Sequence, residues 1–206
     1  MIARRALPFA VAVLALAAGC HKAPPNEPMN AQQQKAQGQK PTRIAVKHGL
    51  DPDIKHVDMT PRDITVEELI AMQRPKDMSN DLSSPEYQSH RAGPLETQVW
   101  RLKCTLQSIV HRRDGDYFLV VKGDTGATTV VEVPDPSLCK GSLVEEKIKS
   151  ARSALDNFKP GDQPIEINKP ATIEGIGFWG AMPRSGGKGA PNGARIMPAT
   201  NVQLGG

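Results

Sequence analysis

Aromatic residues are scarce: two Trp, two Tyr and four Phe make up 4% of the 206 residues. Single-stranded nucleic acids and sugars draw much of their binding energy from stacking on exposed rings, so this chain has little from which to build such a platform. A strong charge of one sign is missing too, with 26 Lys and Arg set against 22 Asp and Glu for a net charge of +4. Loss of Arg4 and Arg5 with the leader described below takes that to +4 − 2 = +2, too little for a nucleic-acid footprint. Cys20, Cys104 and Cys139 are the only three cysteines, and none has a second cysteine at two-residue spacing, which excludes a zinc cluster of the usual kind. His48, His56, His90 and His111 are scattered without ligand spacing, and no Ser/His/Asp or Cys/His arrangement stands out locally. No apolar run approaches the roughly 20 residues of a membrane-spanning helix.

The longest apolar run, residues 6–18, is instead the middle of an export leader. Arg4 and Arg5 precede it, and Ala17-Ala18-Gly19-Cys20 closes it with small residues leading into a cysteine. An ordinary signal peptidase has no use for that cysteine, whereas the lipoprotein peptidase cuts before a Cys bearing a diacylglyceryl thioether. Residues 1–19 are therefore expected to be a lipoprotein signal peptide, and Cys20 the lipidation site. Palmitate-type acyl chains there would supply the two or more hydrophobic anchors that stable attachment needs. His21, in place of an inner-membrane retention Asp, points to the periplasmic side of the outer membrane. In that oxidising compartment Cys104 and Cys139 are expected to pair as a disulfide.

Residues 20–60 read as the lipidated cysteine and a flexible tether. Its first half is Pro, Gln, Asn, Lys and Ala, too polar to offset its ordering entropy, and Ile44, Val46, Leu50, Ile54 and Val57 follow without a convincing period. Residues 61–94 read as a short helix and loop. Thr65 and Glu68 form a capping box ahead of Leu69 and Ile70, and Pro75 stops the helix.

Residues 95–206 carry the main domain. Trp100, Leu102, Cys104 and Leu106 alternate with polar neighbours, as in a half-buried strand. Strands are predicted at 117–121 and 128–133, joined by a Gly-Asp-Thr-Gly turn, with further strands at 171–178 and 194–204. Between the third and fourth strands, Ile148, Ala151, Leu155 and Phe158 recur at helical spacing, with Ser142 the expected N-cap. The order β-β-β-α-β-β is that of an OB-fold-like five-stranded barrel, and the fold class is mainly β with one or two helices. Of the pairs Tyr117/Phe118 and Phe178/Trp179, one ring each is expected to point outwards.

Asp114-Gly115-Asp116-Tyr117-Phe118-Leu119-Val120-Val121 with Glu132-Val133-Pro134-Asp135-Pro136, Gly175-Ile176-Gly177-Phe178, Asn192-Gly193 and Pro198 resembles a family of uncharacterised secreted bacterial proteins with an OB-like core. The resemblance covers about residues 97–204. Members of that family carry His-Gly-Gln in the last loop and Glu-Leu-His-Pro on the last strand. Here those places hold Arg184-Ser185-Gly186-Gly187-Lys188 and Arg195-Ile196-Met197-Pro198, so no role of those histidines carries over.

Asp116 and Asp135 also resemble, more weakly, the calcium-binding pair of thermonuclease-type OB-folds, which implies a metal-dependent phosphodiesterase. Leu138 stands where that enzyme needs a water-activating Glu and Val130 where it needs an Arg. Asp114-Gly115-Asp116 reads more simply as a hairpin whose Gly takes a positive φ, and Glu132 as a residue on a solvated face. Gly187-Lys188 fails the phosphate-loop pattern, since Met182 and Gly189 stand where Gly and Ser or Thr are required.

The sequence therefore leads to a lipid-anchored envelope protein with a non-catalytic binding or interaction domain, or to a purely structural envelope protein. The candidate ligand or metal contacts are Asp114, Asp116, Glu132, Asp135, Arg184, Lys188 and Asn192, with no catalytic residue assigned. No cofactor is expected, calcium entering only under the nuclease reading. The expected partners are the membrane, through Cys20, and an envelope protein, and nucleic acid is not expected.

Overall fold

The alternation at residue 100 belongs to a long strand, β2 (Gln98–His111), around which the fold is organised. A computed structural model describes residues 43–185 and 187–205, so the leader, Cys20 and the first half of the tether lie outside the described residues. β2 pairs with β5 (Ile165–Trp179) from Val99 to Ile109, and its C-terminal half also pairs with β3 (Tyr117–Lys122). A register shift between Leu106 and Ser108 appears against both neighbours, the local bend a strand needs to serve two directions at once.

β3 runs antiparallel to β4 (Thr128–Val133). β4 then meets β6 (Ala194–Leu204) in a short parallel contact at Val131 and Ile196, and β6 returns antiparallel to β5. The five strands thus make a near-ring in the order β2-β3-β4-β6-β5. A sixth strand, β1 (Asp58–Ile64), joins it by parallel pairing with the start of β2. Leu102, Leu106, Ile109, Leu119, Val121, Val131, Ile173, Ile176 and Ile196 fill the core. The main helix, α3 (Glu145–Asp156), packs on β6 through fully buried Ile148 and Leu155. Its N-cap is Val144 rather than Ser142, whose hydroxyl accepts from the Val144 amide, and Leu143 is left exposed.

Residues 43–94 are built into the same core, so the expected tether stops short of 60. After α1 (Ile44–Lys47) and a 3-10 turn (Pro52–His56), the chain enters β1 and then α2 (Val66–Ala71). The expected capping box of α2 is formed in both directions, Thr65 accepting from the Glu68 amide and Glu68 from the Thr65 amide. Glu67 reaches the β3–β4 hairpin and accepts from the Thr125 amide and hydroxyl. Val46 covers Phe178 and Met197, so Phe178 and Trp179 are both buried and no ring at that position faces solvent.

Three arginines clamp this segment. The fully buried Arg43 makes a two-pronged ion pair with Glu96 at 2.6 and 2.8 Å, and donates to the Tyr87, His90 and Trp179 carbonyls. Glu96 also accepts from the Ala92 and Trp179 amides, which saturates a carboxylate buried far from water. Arg91 pairs with Asp51 at 2.7 Å, both side chains fully buried. Arg74 donates to the Gly180 and Asn192 carbonyls.

Cys104 and Cys139 are free thiols in this structure rather than the expected disulfide. Cys104 lines a groove beside α2, whereas Cys139 follows the turn at Asp135, and burial pushes both thiols up to about 12. Among the described residues no helix is long and apolar enough to cross a membrane.

Glu96→Ala leaves Arg43 charged, buried and unpaired, so a loss of about 3–5 kcal/mol of folding stability is expected by urea titration. A loss below about 1 kcal/mol, the range of an exposed ion pair, would remove this clamp from the account.

Candidate functional site

The β2–β3 turn places the site. Gly115 sits at φ 92°, as its hairpin role requires, and Asp114 accepts from the Asp116 amide. Asp116 is then turned inwards and fully buried, its Oδ1 accepting from the Asp135 amide at 3.1 Å. That bond ties the β2–β3 turn to the end of β4, where Glu132 lies. Asp135 itself caps the next turn by accepting from the Ser137 amide.

Into these carboxylates comes a group that the sequence did not flag. Lys47, the last residue of α1, has its Nζ 2.7 Å from Asp116, 3.1 Å from Asp114 and 3.9 Å from Glu132. Glu132 is also held from the other side by Arg195 of β6, at 2.5 Å. It is therefore not on a solvated face: α1 and Arg195 cover it, and only 4% of its surface is exposed. Three of the seven predicted contacts, Asp114, Asp116 and Glu132, thus converge on one ammonium, with Asp135 beside them.

The others are elsewhere. Arg184 and Lys188 are exposed on the loop between β5 and β6. Asn192 is a structural latch, donating to the Leu69 and Met72 carbonyls at the end of α2 and accepting from the Ala194 amide. Lys47, His48 and Arg195 were missed because nothing near them in sequence marks them. They become legible only once α1 is known to fold back on the barrel.

The electrostatics follow from burial and crowding. Burial raises the carboxyl of Asp116 above the usual range, and Lys47 only partly offsets that. For Lys47, burial opposes the charge, but the carboxylates of Glu132, Asp116 and Asp114 outweigh it and the pKa is raised. Both shifts say that a cluster with more carboxylates than cations holds its protons tightly. His48 is pushed down to about 4 by burial first and then by Lys47, so it is neutral at physiological pH.

Among the described residues no group of three or more His, Cys, Asp or Glu side chains is arranged to hold a metal ion. Asp116 and Asp135, the pair that the nuclease resemblance would need, are spent on Lys47 and on a turn cap. The cluster is arranged to fix α1 and the β2–β3 turn to the barrel, and a separate surface opening lies away from it. That opening is a groove of about 820 Å³ between α2, β2 and the C-terminal end of β6, lined by Glu67, Arg101, Lys103, Thr172 and Gln203 among others. Comparison with protein families, with curated proteins and with solved structures returns no match.

The site generates a pH dependence. An unfolded chain protonates His48 near pH 6.5, the folded one only near 4, so between these values the unfolded state binds more protons and stability is lost as the pH falls. The loss from this residue is roughly 3 kcal/mol across that window. Asp116, which takes its proton more readily when folded, offsets part of it at the acid end. His48→Gln is expected to flatten the stability profile between pH 6.5 and 4 in urea titrations. An unchanged slope would show that His48 is not held neutral.

Proposed function

We propose that this chain is a lipid-anchored envelope lipoprotein whose barrel is a non-catalytic binding or interaction domain. The leader and Cys20 support attachment through acyl chains, with the domain on the periplasmic side of the outer membrane. The ring order β2-β3-β4-β6-β5, its parallel closure between β4 and β6, and a helix between the third and fourth ring strands support reading the barrel as OB-like. The motifs that resemble those of secreted bacterial proteins of unknown activity fall on these same strands and turns, and agree with that reading.

The observation that carries the non-catalytic reading is the Lys47 ammonium seated among Asp114, Asp116 and Glu132. A phosphodiesterase of the thermonuclease type gathers its carboxylates to hold calcium and keeps a Glu free to activate water. Here the Lys47 ammonium sits among the carboxylates in the place of such a cation, and Leu138 stands where the water-activating Glu is required. What is left for recognition is surface: the groove beside α2, with Arg101 and Lys103 facing acidic Glu67 and Asp63, and the exposed loop that carries Arg184 and Lys188. Mixed charge around a shallow groove suits a partner protein of the envelope better than a small ligand, which prefers a more enclosed apolar site.

Purified full-length protein is expected to leave a chromogenic phosphodiester intact in calcium, magnesium or manganese. In cells, Cys20→Ala is expected to move the protein from the membrane to the soluble fraction. Metal-dependent hydrolysis that Asp116→Ala abolishes would overturn the non-catalytic reading, and a Cys20→Ala protein that stays in the membrane fraction would overturn the anchor.

A further inference from the structure

Lys47, Asp116 and Glu132 have a chemical possibility that an ordinary surface ion pair lacks. The Asp116 side chain is fully buried, and among the described residues its Oδ2 finds no partner other than the Lys47 ammonium at 2.7 Å. At that separation the carboxyl carbon is close to the roughly 3–3.5 Å from which a positioned nucleophile attacks. Both groups are positioned, Lys47 by its place at the end of α1 and the Asp116 carboxylate by its Oδ1, which accepts from the Asp135 amide. A second carboxylate, Glu132, stands 3.9 Å from the same nitrogen and is held in place by Arg195.

We propose that Lys47 and Asp116 condense to an intramolecular isopeptide bond, with Glu132 carrying the proton. The ion pair first passes one proton from Nζ to the Asp116 carboxylate, giving a neutral amine and a neutral acid. Burial favours this exchange, because two charges are removed from a medium that solvates them poorly. The carboxylates of Glu132 and Asp114, which raise the pKa of Lys47, oppose it and keep the neutral pair a minor state. The amine lone pair then attacks Cγ, forming the C–N bond and a tetrahedral centre. Glu132 takes a proton from the nitrogen and returns it to the departing hydroxyl, the C–O bond breaks, and one water leaves. Lys47 amine and Asp116 acid thus become an amide and water, with no oxidant, reductant or cofactor. Asp114 lies 3.1 Å from the nitrogen with about half of its side chain exposed, and gives the released water a route to solvent. Burial, which raises the Asp116 carboxyl, favours the acid form that the attack requires.

The consequence is mechanical. Lys47 is only four residues past Arg43, where the described chain begins, and Asp116 belongs to the barrel. In a domain anchored through Cys20, a pull on the tether would be carried by a covalent bond into the ring of strands, not by α1 alone. The non-catalytic reading does not depend on this bond, since Lys47 fills the carboxylate cluster as an ammonium or as an amide.

Intact-mass and peptide mass spectrometry of the purified full chain tests the proposal. The expected result is a protein lighter by one water, with trypsin failing to cut after Lys47 and a branched peptide joining Lys47 to the segment that carries Asp116. Lys47→Arg keeps the charge but cannot form this amide, and is expected to fold with the full unmodified mass. Glu132→Gln is expected to leave most of the protein linear. Wild-type protein of full mass, cut normally after Lys47, would overturn the bond. Glu132→Gln protein linked as completely as the wild type would overturn the role given to Glu132.

Discussion

The ion pair between Arg43 and Glu96 holds together parts of the chain that lie far apart in sequence. Arg43 sends its donors to Glu96 and to carbonyls of Tyr87, His90 and Trp179, and lies against the face of Phe178 at 4.9 Å. Glu96 answers with two further bonds from the Ala92 and Trp179 amides. A buried pair so completely satisfied need not add much stability over an apolar replacement. Its effect is on specificity, because any other packing would strand a charge away from water. It brings the start of the described chain, the loop before β2 and the end of β5 to a single point.

From that point the remaining contacts follow in order. With Arg43 fixed, α1 has one place to lie, over Phe178 and Met197, and its last residue projects Lys47 towards the β2–β3 turn. The turn in turn owes its inward Asp116 to the positive φ of Gly115 and to the Asp135 amide. A cluster that resembles a metal site in sequence is thereby turned into a fastening, and the strap from 43 to 94 becomes part of the domain. The same geometry places an amine against a buried carboxyl, which is why the functional and chemical readings converge on Lys47.

The ring was legible in the sequence because its strands follow local rules. Residues 98–111 alternate, Gly-Asp-Thr-Gly turns β3 into β4, and the α2 capping box reads directly from Thr65 and Glu68. The strap was not legible, because Arg43 and Glu96 lie 53 residues apart and each alone looks like a solvated charge. β1 was hidden by Pro61 and by charges that suit an edge strand; parallel pairing with β2, helped by the Gln98 side chain donating to the Asp58 and Thr60 carbonyls, is what holds it. β5 begins at Ile165, earlier than the expected 171, because Pro170 breaks the pattern without ending the strand. In the site, Asp114, Asp116 and Asp135 were found through their turn, and Glu132 through the motif beside them. Their partners Lys47 and Arg195 come from distant segments that no spacing rule connects.

The central claim is that the strap and the ring unfold as one unit, clamped by buried arginines and by Lys47. Native-state hydrogen exchange tests it most directly, on the amides of Lys47, His48 and Leu50, which donate to the Arg43, Ile44 and Ala45 carbonyls. The account predicts that they exchange with the same free energy of opening as ring amides such as Leu119 and Val131, the value set by global unfolding. Exchange of the α1 amides at a small fraction of that free energy, with the ring still protected, would contradict it.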